Sequence, residues 1–142
     1  MIGEKVVLRV RMSAKDAYYA GELVNGAKML EYFGDIVTEL CIRHDGDESL
    51  FRAYDNVEFL APVYLGDYME YYGWIESVGN TSRKIKLEAY KVIELARDPK
   101  LPVSAARVLT KPRLVGRANG TSIVIKENQR GPQDPRFEQA HN

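Results

Sequence analysis

Three carboxylates, Glu31, Asp35 and Glu39, recur at intervals of four residues within an apolar helical pattern, so a helix carries them on one face. Acids stacked in this way repel one another. In water they form an ordinary solvated face, whereas under the cover of a sheet at least one would hold its proton more tightly and suit the work of a general base. Asp35, which follows Gly34, is the first candidate and Glu39 the second. Just upstream, Tyr19-Ala-Gly-Glu-Leu-Val-Asn-Gly-Ala27 runs into the first turn of that helix. Free backbone N–H groups and the positive end of the helix dipole, around Asn25 and Gly26, can polarise a carbonyl oxygen there. Gly21 and Gly26 would admit a ligand close to the backbone, or would only shape a turn. Tyr18 and Tyr19 add phenols, and Tyr19 is a candidate proton donor, although in a chain with 9 tyrosines most serve packing.

Basic residues gather at two points: Arg83 and Lys84 follow Val78-Gly-Asn-Thr-Ser82, and Lys111, Arg113 and Arg117 surround the start of the last strand. Such side chains hold phosphates when backbone donors flank them and hold nothing when they stand alone in water. Cys41 and His44 offer two ligands at most, and Asp45-Gly-Asp47 lacks the spacing of a calcium loop, so no metal site is expected. No G-x-S-x-G, G-x-x-x-x-G-K or G-x-G-x-x-G occurs, which removes the serine-elbow, nucleotide-hydrolysis and dinucleotide readings.

The elements that must position these residues are legible in the periodicity. Residues 5–12 alternate, with Val6, Leu8, Val10 and Met12 on one face, the pattern of a half-buried strand. Residues 13–21 read as a loop. From Leu23 to about Arg43, apolar residues recur at helical spacing, predicting one long, mostly buried helix that ends at His44-Asp-Gly-Asp47. Four strands follow at 50–59, 67–78, 81–92 and 113–126, rich in Val, Ile, Tyr, Phe and Thr, with Gly79-Asn80 as a tight hairpin. Three prolines, Pro99, Pro102 and Pro112, mark 94–112 as a long excursion rather than a strand, one that would cap a neighbouring subunit. Residues 127–142 are a polar tail, ordered only where something holds it.

One strand, one helix and four antiparallel strands make an α+β layer architecture, whose curved form, a sheet wrapped around a central helix, is the hot dog fold. A single sheet leaves open edges, so a homo-oligomer with a dimer as its minimum unit is expected. The 142 residues, with 45% hydrophobic and 28% charged residues, suit a single domain spanning 1–142. Balanced charge, 20 Lys+Arg against 20 Asp+Glu, argues against nucleic acid and against an anionic membrane surface as partners. Charges at Glu4, Lys5, Arg9 and Arg11 stand where a signal peptide needs an apolar run, and one cysteine cannot form an intrachain disulfide. A cytoplasmic location is the expectation.

Several short words in order, namely Met12-Ser-Ala-Lys-Asp-Ala-Tyr-Tyr-Ala-Gly21, Leu23-Val-Asn-Gly-Ala27, Phe33-Gly-Asp35, Thr38-Glu-Leu40, Asp45-Gly-Asp47, Phe59-Leu-Ala-Pro-Val-Tyr-Leu-Gly-Asp67 and Val78-Gly-Asn-Thr-Ser82, resemble the β-aminoacyl-CoA ammonia lyases. That family includes lyases for β-alanyl-CoA and 3-aminobutyryl-CoA in anaerobic amino-acid fermentation, lysine degradation included, and has the hot dog fold. The likeness runs from about Lys5 to Arg130, and Arg130-Gly-Pro-Gln133 is most similar to the β-alanyl branch. Asp55-Asn-Val-Glu-Phe-Leu-Ala-Pro-Val63 with Gly66-Asp67 and Val78-Gly-Asn-Thr-Ser82 is also similar to acyl-CoA thioesterases of the same fold, which makes thioester hydrolysis the alternative. Tyr18 stands where the family pattern has His, and Glu22 where it has Asn.

The resemblance implies an acyl-CoA thioester and ammonia as reactants, with no cofactor beyond the CoA of the substrate. It implies a hexamer and a site at the subunit junction. Asp35 would take the α-proton, and Glu39 would be an alternate base or would bind the substrate ammonium. The helix start at Asn25 and Gly26 would polarise the carbonyl, Asn56 would lie near the acyl end, and Ser82 and Arg83 would point towards the pantetheine or phosphates.

Overall fold

The computed structural model describes residues 3–138. Its regular elements are β1 (Val6–Arg11), α1 (Ala27–Asp45), β2 (Leu50–Phe59), β3 (Tyr68–Val78), β4 (Ser82–Leu95) and β5 (Ala106–Ile123). The strands form one antiparallel sheet in the order β1-β3-β4-β5-β2. Helix α1 lies across it and buries Met29, Phe33, Ile36, Val37, Leu40 and Cys41, a spacing of three and four that keeps one side against the sheet. The inward positions of β3 and β4, among them Met69, Tyr71, Ile75, Ile85, Leu87 and Ala89, complete the core. Close approach of helix and sheet depends on Gly73 and Gly116. A Cβ on Gly73 would overlap Ile36, and one on Gly116 would overlap Met29.

The expected hot dog architecture is therefore what the chain adopts. Two details of the sequence reading change. The helix begins at Ala27, not Leu23. Leu23 instead bridges Tyr19 and Tyr64, and Val24 N–H donates to Val63 O at 2.8 Å, so backbone pairing claims the residues before the first turn. The 94–112 excursion is strand at both ends. Glu94 pairs with Arg107 and Leu95 with Ala106, which leaves 96–105 as the connection. Pro112 falls in a bulge between the Ile93–Val108 and Lys91–Arg113 pairs, a place where a missing N–H costs nothing.

The tail, as far as residue 138, is held. Arg130 N–H donates to Asp45 O at 2.9 Å, Gln133 N–H donates to Arg43 O at 2.8 Å, and Phe137 is fully buried. Residues 139–142 lie outside the described residues. Strand β2 ends the sheet on one side and leaves Leu50, Phe51 and Phe59 exposed along a free edge.

Candidate active site

A cavity of about 510 Å³ opens at the N-terminal end of α1. Leu23, Val24, Asn25 and Gly26 form one wall, 59–63 the facing wall, and Met69, Tyr71 and Val115 of the sheet the floor. The facing wall is rigid for a physical reason. Lys91 and Asp67, exposed by 2% and 1%, form an ion pair at 2.9 Å inside the protein, where an unpaired charge would be costly. Lys91 Nζ also donates to Pro62 O at 3.0 Å, and Asp67 accepts from Tyr64 N–H at 2.7 Å, which locks 62–67 in place. Leu60 and Ala61 N–H groups donate to Val115 O.

The opposite wall is the start of the helix. Asn25 Oδ1 accepts from Lys28 N–H at 3.0 Å and so caps the first turn, while its amide donates to the Tyr18 hydroxyl at 2.9 Å. The N–H groups of Gly26 and Ala27 have no acceptor among the described residues. The Phe59 ring lies against Gly26, 2.8 Å from where a Cβ would stand. Lys28 contributes a cation to the cavity wall, held between Asp16 at 3.3 Å and Glu31 at 3.2 Å. Burial would raise the Asp16 carboxyl, but hydrogen bonds from the Ser13 N–H and hydroxyl, with Lys28 beside it, hold it below the usual carboxylate range.

The acidic stripe divides. Glu31 is paired with Lys28, and Glu39 accepts from Arg43 Nε at 2.9 Å, with Arg43 reaching on to Asp134. Asp35 is exposed and has no hydrogen bond or ion pair among the described residues. It stands beside β2, near the Tyr54 phenol, which burial first and the Asp35 charge second push up to about 12. Nine residues of helix separate it from Gly26, roughly 13 Å at 1.5 Å per residue, so within one chain Asp35 does not meet the cavity.

The other candidates scatter. Tyr19 is exposed and stacked edge-on against Tyr18, outside the cavity lining. Asn56 sits at a β2 bulge with φ 50° and lines a separate depression with Trp74, Lys86 and Arg117 on the outer sheet face. Ser82 is half-buried at the start of β4.

Arg83 requires a correction. It is buried and grips Asp45 through two hydrogen bonds at 2.7 and 2.8 Å, and it donates further to Gly79 O and Ser82 O. It clamps the β3–β4 hairpin to the helix end and is not an arm free to meet a phosphate. Among the described residues no group of three His, Cys, Asp or Glu is arranged to hold a metal ion. The residue that sequence reasoning missed is Tyr71. Its signal was a tyrosine in the inward register Met69, Tyr71, Gly73, Ile75, where its neighbours carry no polar group.

Known proteins place this arrangement. A family model described as the thioesterase superfamily matches residues 21–94, from the cavity wall through the Lys91 that locks it. The chain is 56% identical to 3-aminobutyryl-CoA ammonia lyase of Acetoanaerobium sticklandii over 89% of its length and 98% of that protein's. It belongs to the β-aminoacyl-CoA ammonia lyase family of the thioesterase superfamily. The solved structure of β-alanyl-CoA:ammonia lyase from Clostridium propionicum superposes with a TM-score of 0.91 at 51% identity, covering 96% of each chain. A hexameric hotdog fold thioesterase of Campylobacter jejuni, 19% identical, matches with a TM-score of 0.69 over 92% of this chain and 90% of its own, which is a likeness of fold. For this member of the ammonia lyase family, the helix-start cavity and the unpaired Asp35 are the two features that a mechanism must join.

Proposed function

We propose that the chain is a carbon–nitrogen lyase that reversibly eliminates ammonia from a β-aminoacyl-CoA to give an enoyl-CoA. The observation that carries this is identity above one half to two ammonia lyases along nearly the whole chain, whereas the thioesterase likeness rests on fold. The chemistry needs a base at Cα, a dipole at the thioester oxygen and room for a small acyl group. Asp35, the stripe carboxylate without a paired cation among the described residues, suits the base. The unpartnered Gly26 and Ala27 N–H groups at the positive end of α1 suit the oxyanion.

A second copy joins the two. The free β2 edge with exposed Leu50, Phe51 and Phe59 calls for a partner strand, and Asp35 stands next to that edge. Pairing there makes the junction a composite site, with the base of one protomer brought towards the helix start of the other. CoA lies across the junction, and a dimer is the working minimum, with a hexamer as the assembly. The reading asks for no cofactor beyond the CoA of the substrate and places the enzyme in the cytoplasm, in amino-acid fermentation. Among the described residues no helix is long and apolar enough to cross a membrane.

In elimination, Asp35 takes the α-proton, the C–N electrons leave with nitrogen, and an amine that entered as ammonium departs as neutral ammonia. The carboxylic acid then returns its proton to water.

The test is incubation with acryloyl-CoA and with crotonyl-CoA in ammonium buffer, following free thiol and product mass. An intact CoA product heavier by one ammonia is expected, and the faster substrate names the natural acyl group. Free CoA without that adduct replaces the lyase by a thioesterase.

A further inference from the structure

Tyr71 stands out from every other buried polar side chain. It is 2% exposed, and its ring packs against Tyr32 and edge-on against Phe33. Among the described residues its hydroxyl makes no hydrogen bond, while the buried charges Asp45, Asp67, Arg83 and Lys91 all have partners. Nor is the oxygen sealed in the core. Its oxygen is not among the sealed, unpartnered side-chain atoms of the described residues, and Tyr71 forms part of the cavity floor. When an apolar acyl group fills the cavity and drives out water, an unpaired hydroxyl there would cost about 1 to 3 kcal/mol, so it gains from a polar group that enters with it.

The surroundings select what that is. Met29, Met69, Leu60, Val63 and Val115 make the cavity apolar, and the Lys28 ammonium stands in its wall. The apolar lining disfavours a free cation through desolvation, while the Lys28 charge is balanced by Asp16 and Glu31, so the wall adds no net repulsion and the ammonium of the aminoacyl substrate is tolerated. Free ammonia, being neutral, avoids the desolvation penalty. Burial holds the phenol above its ordinary range, so the oxygen stays protonated and keeps lone pairs to accept an N–H.

We propose that the Tyr71 hydroxyl is the ammonia-binding group of the site, accepting an N–H of neutral NH3 and turning the nitrogen lone pair towards the β-carbon. The idea rests on the lyase reading above and names the residue that recognises its smaller reactant. In the addition direction the lone pair forms the C–N bond, the alkene electrons move to Cα, and the protonated base delivers its proton there. The nitrogen, now an ammonium, equilibrates with water. Tyr71 exchanges no proton in any step; it positions the nitrogen.

The variant Tyr71→Phe removes one oxygen and keeps the ring. In enoyl-CoA amination, KM for ammonia rises about three- to tenfold, as for the loss of one neutral hydrogen bond, while KM for the enoyl-CoA stays within about twofold. Thermal stability of the variant does not fall, since no internal hydrogen bond is lost. An unchanged KM for ammonia overturns the proposal. A fall in stability with both KM values rising overturns it too, because the hydroxyl would then serve the fold. If the wild-type protein forms no ammonia adduct, the lyase reading fails first; if it forms one and Tyr71→Phe binds ammonia as the wild type does, only this inference fails.

Discussion

At its C-terminal end, α1 closes on Gly46, which takes a left-handed φ of 72° and returns its N–H to Ile42 O, while Asp45 is gripped by Arg83 and covered by the tail. At its N-terminal end the same helix opens onto a cavity with two N–H groups at its start and a hydroxyl below that have no partner among the described residues. One end satisfies its polar groups internally and so contributes to stability. The other leaves them for a ligand, at some cost to stability, which is the arrangement expected of a binding site. The hairpin word Val78-Gly-Asn-Thr-Ser82, beside which a phosphate arm was expected at Arg83, belongs with the closed end as far as Arg83 is concerned.

The sharpest separation of activity from stability is expected at Asp35, which has no partner to lose among the described residues. Asp35→Asn lowers kcat for ammonia addition by about 10²- to 10⁴-fold, the range for removing a general base, with the melting temperature unchanged. A variant that keeps full activity removes Asp35 from the mechanism. At the closed end the reverse holds. Arg83→Leu strands a buried carboxylate and lowers the unfolding free energy by about 3 to 5 kcal/mol in urea titration. A stable Arg83→Leu protein with a raised acyl-CoA KM would move that end into the site.

Acid tests the same clamp more gently. Burial opposes the Asp45 charge, but Arg83 and His44 outweigh it and hold its carboxyl at about 2, against an ordinary 3.8. A folded pKa below the unfolded one adds stability above about pH 4, and that stability is lost as pH falls towards 2. The amount is about 2 kcal/mol, read from urea midpoints across that window and absent in Asp45→Asn. The smallest effect belongs to Gly26→Ala at the open end. Its Cβ presses on the exposed Phe59 ring, which can swing aside, so stability changes by less than about 1 kcal/mol. The methyl narrows the cavity mouth, and the acyl-CoA KM rises.

Periodicity carried much of the fold. Strand β2 runs over 50–59 as read, and the alternation of Val6, Leu8, Val10 and Met12 marks β1. Composition failed where pairing overruled it. Prolines argued against a strand at 106–112, yet β4 supplies a partner up to Leu95, and a bulge accommodates Pro112. The same holds for the site. Asn25 and Gly26 were legible because glycine and a capping side chain at a helix start have one physical meaning.

By itself the sequence determined the elements, their order, the acidic stripe and the glycine-bearing helix start, because these depend on neighbours three or four residues away. Only the tertiary structure decided that Glu31 and Glu39 are paired while Asp35 is not, that Arg83 is a clamp, and that Tyr71 faces a cavity. Those facts depend on partners such as Asp134 for Arg43, 91 residues away, and Asp45 for Arg83, 38 away. No local pattern records which distant group will arrive to satisfy a charge, and burial is a property of the folded sheet and helix together.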